Sequence, residues 1–246
     1  MTNIAPNPDR SKALKSAYLA LVEARPVVQG VFALRFLVGG LGVAAVSTIR
    51  IGPGLAGQAA WFAAIWLVYL VNGISDIEGD RINQSVRPLA NRRLSVSSAE
   101  IVSILLGVIA LAVASTVSWV FTFGTALIIA IGWFYSMGPY PLKASSWASS
   151  LTVGFAGFLT YVCGSIAFRQ EVPSEVVFFA AIMALWMAAA GNSKDFGSER
   201  GDALARRKSL PLALGHERAA IVVSCLCIGV GVLGMIAAAS SRLLGG

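Results

Sequence analysis

The sequence predicts an all-α bundle of transmembrane helices, and three observations lead there. Hydrophobic residues fill 57% of the 246 positions and charged residues only 13%, with a mean hydropathy of +0.75; soluble domains carry roughly 45–50% and about 25%. The apolar residues fall in runs of roughly 17–25, the length that crosses a bilayer as a helix. The alternating segments of about ten residues that mark a membrane barrel are missing. A chain in lipid has to satisfy its backbone polar groups within helices or closed barrels, so helices remain.

The elements follow in order. Residues 1–26 lack the compact apolar core and small-residue cleavage site of a signal peptide and read as a cytoplasmic N-terminal tail with an interfacial helix. Residues 27–246 read as one transmembrane domain. Seven spans are predicted in it, at about 27–48, 55–74, 100–118, 119–137, 147–168, 173–193 and 217–240. The third and fourth adjoin so closely that their boundary is blurred. Gly39-Gly40-Leu41-Gly42 and the Gly154/Gly157 pair mark places where helices approach closely. Cys163, Cys225 and Cys227 fall within spans and read as small apolar packing residues. His216 stands alone at the start of the last span, and a single His cannot build a zinc site.

Orientation comes from Lys and Arg, which accumulate in short cytoplasmic loops. With the N-terminus inside, 15 of the 19 basic residues are cytoplasmic: Arg10, Lys12, Lys15 and Arg25, then Arg81, Arg87, Arg92 and Arg93, Lys143, and finally Lys194, Arg200, Arg206, Arg207, Lys208 and Arg218. Arg50, Arg169 and Arg242 remain outside and Arg35 within the first span. The formal charge of +7 is thus a topology signal and an attraction for anionic lipid or substrate, with no nucleic acid implied.

Six of the twelve acidic residues lie at two cytoplasmic helix ends. Asn72, Asp76 and Asp80 recur every fourth residue, a spacing that lines them up on one helix face, with Glu78 pointing elsewhere. Like charges so spaced repel, and something positive has to neutralise them. One reading is a salt-bridge network at the membrane surface. The other is magnesium, which takes one or two carboxylates and completes its shell with water and substrate phosphate. The second stretch, GNSKDFGSERGD, places Asn192, Asp195, Glu199 and Asp202 at separations of three, four and three, again one face if a helix persists through Gly197 and Gly201. Each stretch is followed by a basic connector and a Pro, so the two halves read as a short pseudo-repeat.

The ordered motifs NGISDIEGDRIN, RPLANRRLS, YSMGPYPLK, KDFGSERGD and SLPLALG resemble the UbiA-type membrane prenyltransferase superfamily over roughly residues 24–218. The second acidic motif, KDFGSERGD, and YSMGPYPLK are most similar to the chlorophyll synthase and homogentisate-type branches. Onto the family's Asn-Asp-x-x-Asp-x-x-x-Asp fall Asn72, Gly73, Asp76 and Asp80, with Gly73 replacing the usual Asp. Onto its second acidic motif fall Lys194, Asp195 and Asp202. Ser198 and Arg200 depart from the common Asp and Glu, and Glu199 is the neighbouring carboxylate that could compensate.

The resemblance implies a bundle around a central cavity, with both Asp motifs at its cytoplasmic mouth binding magnesium and a prenyl diphosphate. Members usually have nine spans. Only 44 residues follow Asp202, room for one, so the last two spans of the usual fold are expected to be missing, with lipid or a second copy of the chain closing the gap. Magnesium is assigned to Asp76, Asp80, Asp195 and Asp202, the catalytic carboxylates, with Glu199 as a weaker ligand. The diphosphate is assigned to Asn72, Arg81, Arg87, Lys143 and Lys194, because a leaving diphosphate is stabilised by cations. Its allylic cation needs a dry, partly aromatic chamber, for which Tyr69 and Tyr135 are the chosen lining residues and Arg35 a further candidate.

The expected activity is transfer of a prenyl group from its diphosphate to a lipophilic, aromatic acceptor in the cell membrane. A terpene cyclase of the same superfamily, needing no acceptor, is the alternative. A transporter or lipid-binding scaffold ranks third, since it has no need for two acid clusters on one membrane side interleaved with Arg.

Overall fold

The computed structural model describes residues 8–42, 49–204 and 207–244; the end of the first predicted span, 43–48, and Arg206 lie outside them. Among the described residues the ordered structure is helical, with one isolated bridge between Ser145 and Lys208. Helix α1 is Pro8–Glu23, α2 Pro26–Leu37, α3 Ile51–Ser75, α4 Ile77–Ile82, α5 Val96–Ser115 and α6 Trp119–Ser136. There follow α7 Ser146–Arg169, α8 Ser174–Ala190, α9 Glu199–Leu204, α10 Leu210–Leu214 and α11 His216–Leu244. Among the described residues six helices are long and apolar enough to cross a bilayer: α3, α5, α6, α7, α8 with its extension to Gly197, and α11. The first expected span is shorter in its described part, Pro26–Gly42.

Local chemistry sets the boundaries. Ser118, extended at φ −172° and ψ 160°, caps α6 by accepting from the Phe121 amide at 3.2 Å. An N-cap of this kind ends one helix and starts the next, which resolves the blurred boundary between the third and fourth spans. The Gly-rich segment after α2 widens into a π-helical turn, Val38–Gly42. A Cβ on Gly39 would overlap the Tyr161 carbonyl, and one on Gly164 the Phe36 carbonyl. The glycines thus let α2 and α7 meet backbone to backbone, as expected. Gly154 does the same for α7 against the Ala184 carbonyl of α8, and Gly157 makes room for the Met187 side chain.

Helix α3 lies at the centre, packed by α5, α6 and α7, while α11 rests on α8. Phe36, Trp61, Phe121 and Phe168 are buried together with ring centroids 5.9–6.3 Å apart. This cluster fills the end of the bundle where α3 and α6 begin and α7 ends. Helix α1 lies against α3 and α5 with Leu19, Ala20, Glu23 and Ala24 buried.

Candidate functional site: two acidic turns at the mouth of an apolar cavity

The two motifs do not continue their helices as expected. Helix α3 stops at Ser75, Asp76 sits at φ −103° and ψ 2°, and α4 restarts at Ile77. Asn72, Asp76 and Asp80 are therefore on a kinked path instead of one straight face. At this kink the Asp76 carboxylate meets two cations on other segments, Lys143 and Arg207. Beyond α8 the chain tightens into a 3-10 stretch, Gly191–Gly197, turns at Ser198 and continues as α9. The helix does not persist through Gly197, so Asn192, Asp195, Glu199 and Asp202 do not share a face.

The kinks bring the motifs together. Helices α4 and α9 pack against each other, and the Gly201 amide donates to Asn83 Oδ1 at 3.0 Å. A Cβ on Gly201 would come within 3.0 Å of the Gly79 carbonyl, so glycine permits the approach. Arg207 then bridges the motifs, pairing with Asp76 and, through Nη1, with Asp202 Oδ1 at 3.2 Å. Its position is fixed by the neighbouring backbone, where Lys208 N donates to Ala144 O at 2.9 Å and Ser146 N to Lys208 O at 3.0 Å. The Ser198 hydroxyl holds the other oxygen of Asp202 at 2.7 Å.

Lys143 arrives from the YSMGPYPLK connector. Gly138 there adopts φ 92°, which favours glycine, and a 3-10 turn over Leu142–Ala144 carries Lys143 back to the site. Its Nζ lies 2.8 Å from Asp76 Oδ1 and also donates to the Ser75 hydroxyl. Burial pushes the Asp76 carboxyl up, but Lys143 and Arg207 outweigh it and hold the group below the ordinary carboxylate value. Burial pushes Lys143 down, only partly offset by Asp76.

Asp80 is held differently. Arg87 donates from Nη1 to Asp80 Oδ2 at 2.6 Å, while its Nη2 lies 2.7 Å from Glu23 Oε1. Arg87 is 7% exposed. Arg81 is exposed, and its Nε donates to the Ala90 carbonyl at 3.2 Å. Glu199 turns from the other motif acids to His216, its Oε1 2.8 Å from the ring Nδ1. Asp195 and Asp202 line a small polar recess with Tyr135, Lys143, Ser149 and Arg207.

Below this recess opens a cavity of about 410 Å³. Tyr69, Asn72, Tyr135, Val153, Ala156 and Met187 are among its lining residues, and Lys194 lies at its mouth. Tyr135 belongs to both recess and cavity. Its hydroxyl receives Lys194 Nζ at 2.6 Å and bonds the Ser149 hydroxyl at 3.0 Å. Tyr69 stacks edge-on against Phe32 with centroids 6.3 Å apart, and Arg35 lies over the same Phe32 ring at 5.5 Å. Arg25 and Arg35 also line the cavity, which contains no carboxylate among these residues. Sequence reasoning missed two groups here. Arg207 is one of three consecutive basic residues in ALARRK, and nothing local distinguishes it. Glu23 lies in a segment read as a tail, where only its place before Ala24-Arg25-Pro26 could have marked it.

Among the described residues no three acidic, His or Cys side chains converge as a ready-made metal cage. The donor set still fits magnesium, which needs one or two carboxylates per ion when phosphate and water complete the shell. Asp76 and Asp80 on one side and Asp195 and Asp202 on the other supply that number, with Lys143, Lys194 and Arg207 among them.

Residues 33–245 match the UbiA prenyltransferase family. The digeranylgeranylglyceryl phosphate synthase of Halobacterium salinarum is 31% identical over 181 residues, covering 72% of this chain and 63% of that protein. The bacteriochlorophyll synthase 33 kDa chain of Rhodobacter capsulatus is 27% identical over 195 residues, 77% and 60% of the two chains. The chain thus spans less than two thirds of the length of the curated relatives it matches. A UbiA homologue from Archaeoglobus fulgidus bound to GPP and Mg2+ has the same fold, with a TM-score of 0.67 at 23% identity over 87% of this chain and 76% of that one. Kinked acidic turns meeting above an apolar chamber, in a helical bundle matched along most of its length, leave one conclusion: this chain is an integral membrane protein belonging to the UbiA prenyltransferase family.

Proposed function

We propose that the chain is a magnesium-dependent intramembrane prenyltransferase that moves a prenyl group from its diphosphate to a lipophilic, aromatic acceptor. The observation that carries this is Arg207, which joins Asp76 of one acidic turn to Asp202 of the other at the mouth of a cavity lined mainly by apolar side chains. Carboxylates and cations interleaved so closely suit a ligand that is itself polyanionic and metal-bound, while the chamber below suits a hydrocarbon tail.

Asp76, Asp80, Asp195 and Asp202 would hold magnesium, which when bound neutralises charge on the departing diphosphate. Lys143, Arg207 and Lys194 turn from their present partners toward the phosphate oxygens, with Asn72 beside them and Arg81 at the outer rim. Arg87, already shared by Glu23 and Asp80, acts through Asp80. In the transfer, the bond from prenyl C1 to the diphosphate oxygen breaks and its electron pair leaves with the diphosphate. The acceptor forms a bond to C1 and gives up a proton. Tyr69 and Tyr135 present aromatic faces to the cationic carbon, and the filled far end keeps water out on that side. The motifs and the N-terminus face the cytoplasm in this reading, since the interleaved Arg and Lys belong to the positive side.

Asp76→Ala and Asp202→Ala each remove a metal ligand and are expected to abolish turnover while the protein still inserts and purifies. Wild-type turnover in either variant would defeat the assignment. A reporter fused after Arg93 is expected on the cytoplasmic side; finding it outside would invert the orientation.

A further inference from the structure

Glu23 is the most deeply buried carboxylate the transfer reaction does not use. It is 0% exposed and belongs to α1, outside the spans. Its Oε2 accepts from the Leu89 amide at 2.9 Å and its Oε1 faces Arg87 Nη2 at 2.7 Å. Arg87 Nη2 also donates to the Glu23 carbonyl at 3.2 Å. The same side chain explains Gly73: a Cβ there would overlap Glu23 Oε1 and come within 2.6 Å of Arg87 Nη2. The Glu23 carboxylate and the Arg87 guanidinium thus occupy the space that a side chain at position 73 would need.

We infer that Glu23 is a positioning residue of the first acidic motif, supplying from α1 the carboxylate that position 73 lacks and thereby keeping Asp80 available to magnesium. The inference rests on the prenyltransferase reading. Its physics is a division of charge. Arg87 bound by Asp80 alone would neutralise it and claim both its oxygens in a bidentate pair. With Glu23 on the other nitrogen, Arg87 is neutralised from behind and reaches Asp80 through Oδ2 only. With Glu23 ionised, the group of Glu23, Arg87 and Asp80 carries one net negative charge instead of none, and Asp80 Oδ1 stays free of Arg87. At an effective dielectric constant of about 20, removing a unit charge roughly 10 Å from a dication weakens its binding on the order of a hundredfold, and by a few-fold where the dielectric approaches that of water. Helix α1 is also fixed to the bundle near the same place, where Trp66 Nε1 donates to the Ala20 carbonyl at 3.1 Å.

The test is magnesium titration of the purified full chain in detergent, read as binding of farnesyl diphosphate by tryptophan fluorescence, with pyrophosphate release measured alongside. Glu23→Gln keeps the shape and an oxygen for the Leu89 amide but loses the charge. It is expected to raise half-saturating magnesium about tenfold or more, with kcat at saturating magnesium changed less than threefold. An unchanged magnesium requirement, or a kcat lost at every magnesium concentration, would overturn the inference.

The second variant joins Glu23→Ala to Gly73→Asp, moving the carboxylate to the position it replaces. Gly73→Asp alone sets a side chain against Glu23 and is expected to destabilise the protein. The double variant is expected to regain folding and to restore half-saturation to within about threefold of wild type. A double variant no better than either single one would show that Glu23 matters only as part of α1. If the wild type itself shows no magnesium-dependent diphosphate binding, the prenyltransferase reading falls with it. A magnesium-responsive wild type with a silent Glu23→Gln defeats this inference alone.

Discussion

Replacing Asp76 by Asn tests the electrostatic logic of the site in its metal-free state. The carboxylate sits between Lys143 at 2.8 Å and Arg207, with side chains 16%, 7% and 24% exposed. Removing one member of a buried ion pair costs about 3–5 kcal/mol because the partner is left charged and unpaired. Arg207 keeps Asp202 and Lys143 keeps the Ser75 hydroxyl, which places the expected loss at the low end, about 3 kcal/mol. For a chain of this length that corresponds to a fall of about 6–12 °C in thermal midpoint. The assay is thermal unfolding in detergent with EDTA and no diphosphate. Adding Lys143→Met to Asp76→Asn removes one stranded cation and is expected to recover part of the loss. A midpoint within 2 °C of wild type, or strict additivity of the two changes, would refute the argument that these charges hold each other in place.

The same pairing fixes a pH dependence. Because the folded Asp76 carboxyl is held below its ordinary value of 3.8, its stabilisation is present above that value and lost as pH falls through the lower, folded one. The gap between wild type and Asp76→Asn is therefore full at pH 7 and closes only in strong acid; a gap that closes near pH 6 would contradict the shift. Tyr135→Phe keeps the ring but loses the hydroxyl bonded to Lys194 and Ser149, and should lower kcat/KM roughly 10- to 100-fold, as for a hydrogen bond to a charged group. Ala156→Trp fills part of the 410 Å³ cavity and should reject geranylgeranyl diphosphate while still accepting geranyl diphosphate, read by competing the two donors. Gly164→Val drives a side chain into the Phe36 carbonyl, and overpacking of this kind lowers stability by about 1–3 kcal/mol or more, seen as a lower thermal midpoint.

Much of the fold was legible because lipid imposes one rule on every span: about twenty apolar residues in a row. Thus α3, α5, α6, α7, α8 and α11 are found close to their expected bounds. The close approaches at Gly39 and Gly154 were legible too, since small residues within apolar helices mark the faces where two backbones meet. The site was legible in composition but not in shape. Asn72, Asp76 and Asp80 have helical spacing, yet the helix breaks at Asp76, where Lys143 and Arg207, distant in sequence, meet its carboxylate. Spacing carries no information about such partners. For the same reason spacing groups Glu199 with Asp202 as a weaker ligand, although it faces His216. Glu23 went unnoticed because its significance depends on the space beside Gly73, fifty residues on.

The central claim is that the acidic turns and the chamber together ionise a prenyl diphosphate for transfer. It is tested most directly by pyrophosphate release from purified protein, given geranyl, farnesyl and geranylgeranyl diphosphates, with and without magnesium and with and without lipophilic aromatic acceptors. The account predicts release that requires both magnesium and an acceptor, with a prenylated acceptor as product. Release without any acceptor, accompanied by a cyclised hydrocarbon or alcohol, would contradict transfer, and no release under any condition would contradict the assignment of the site.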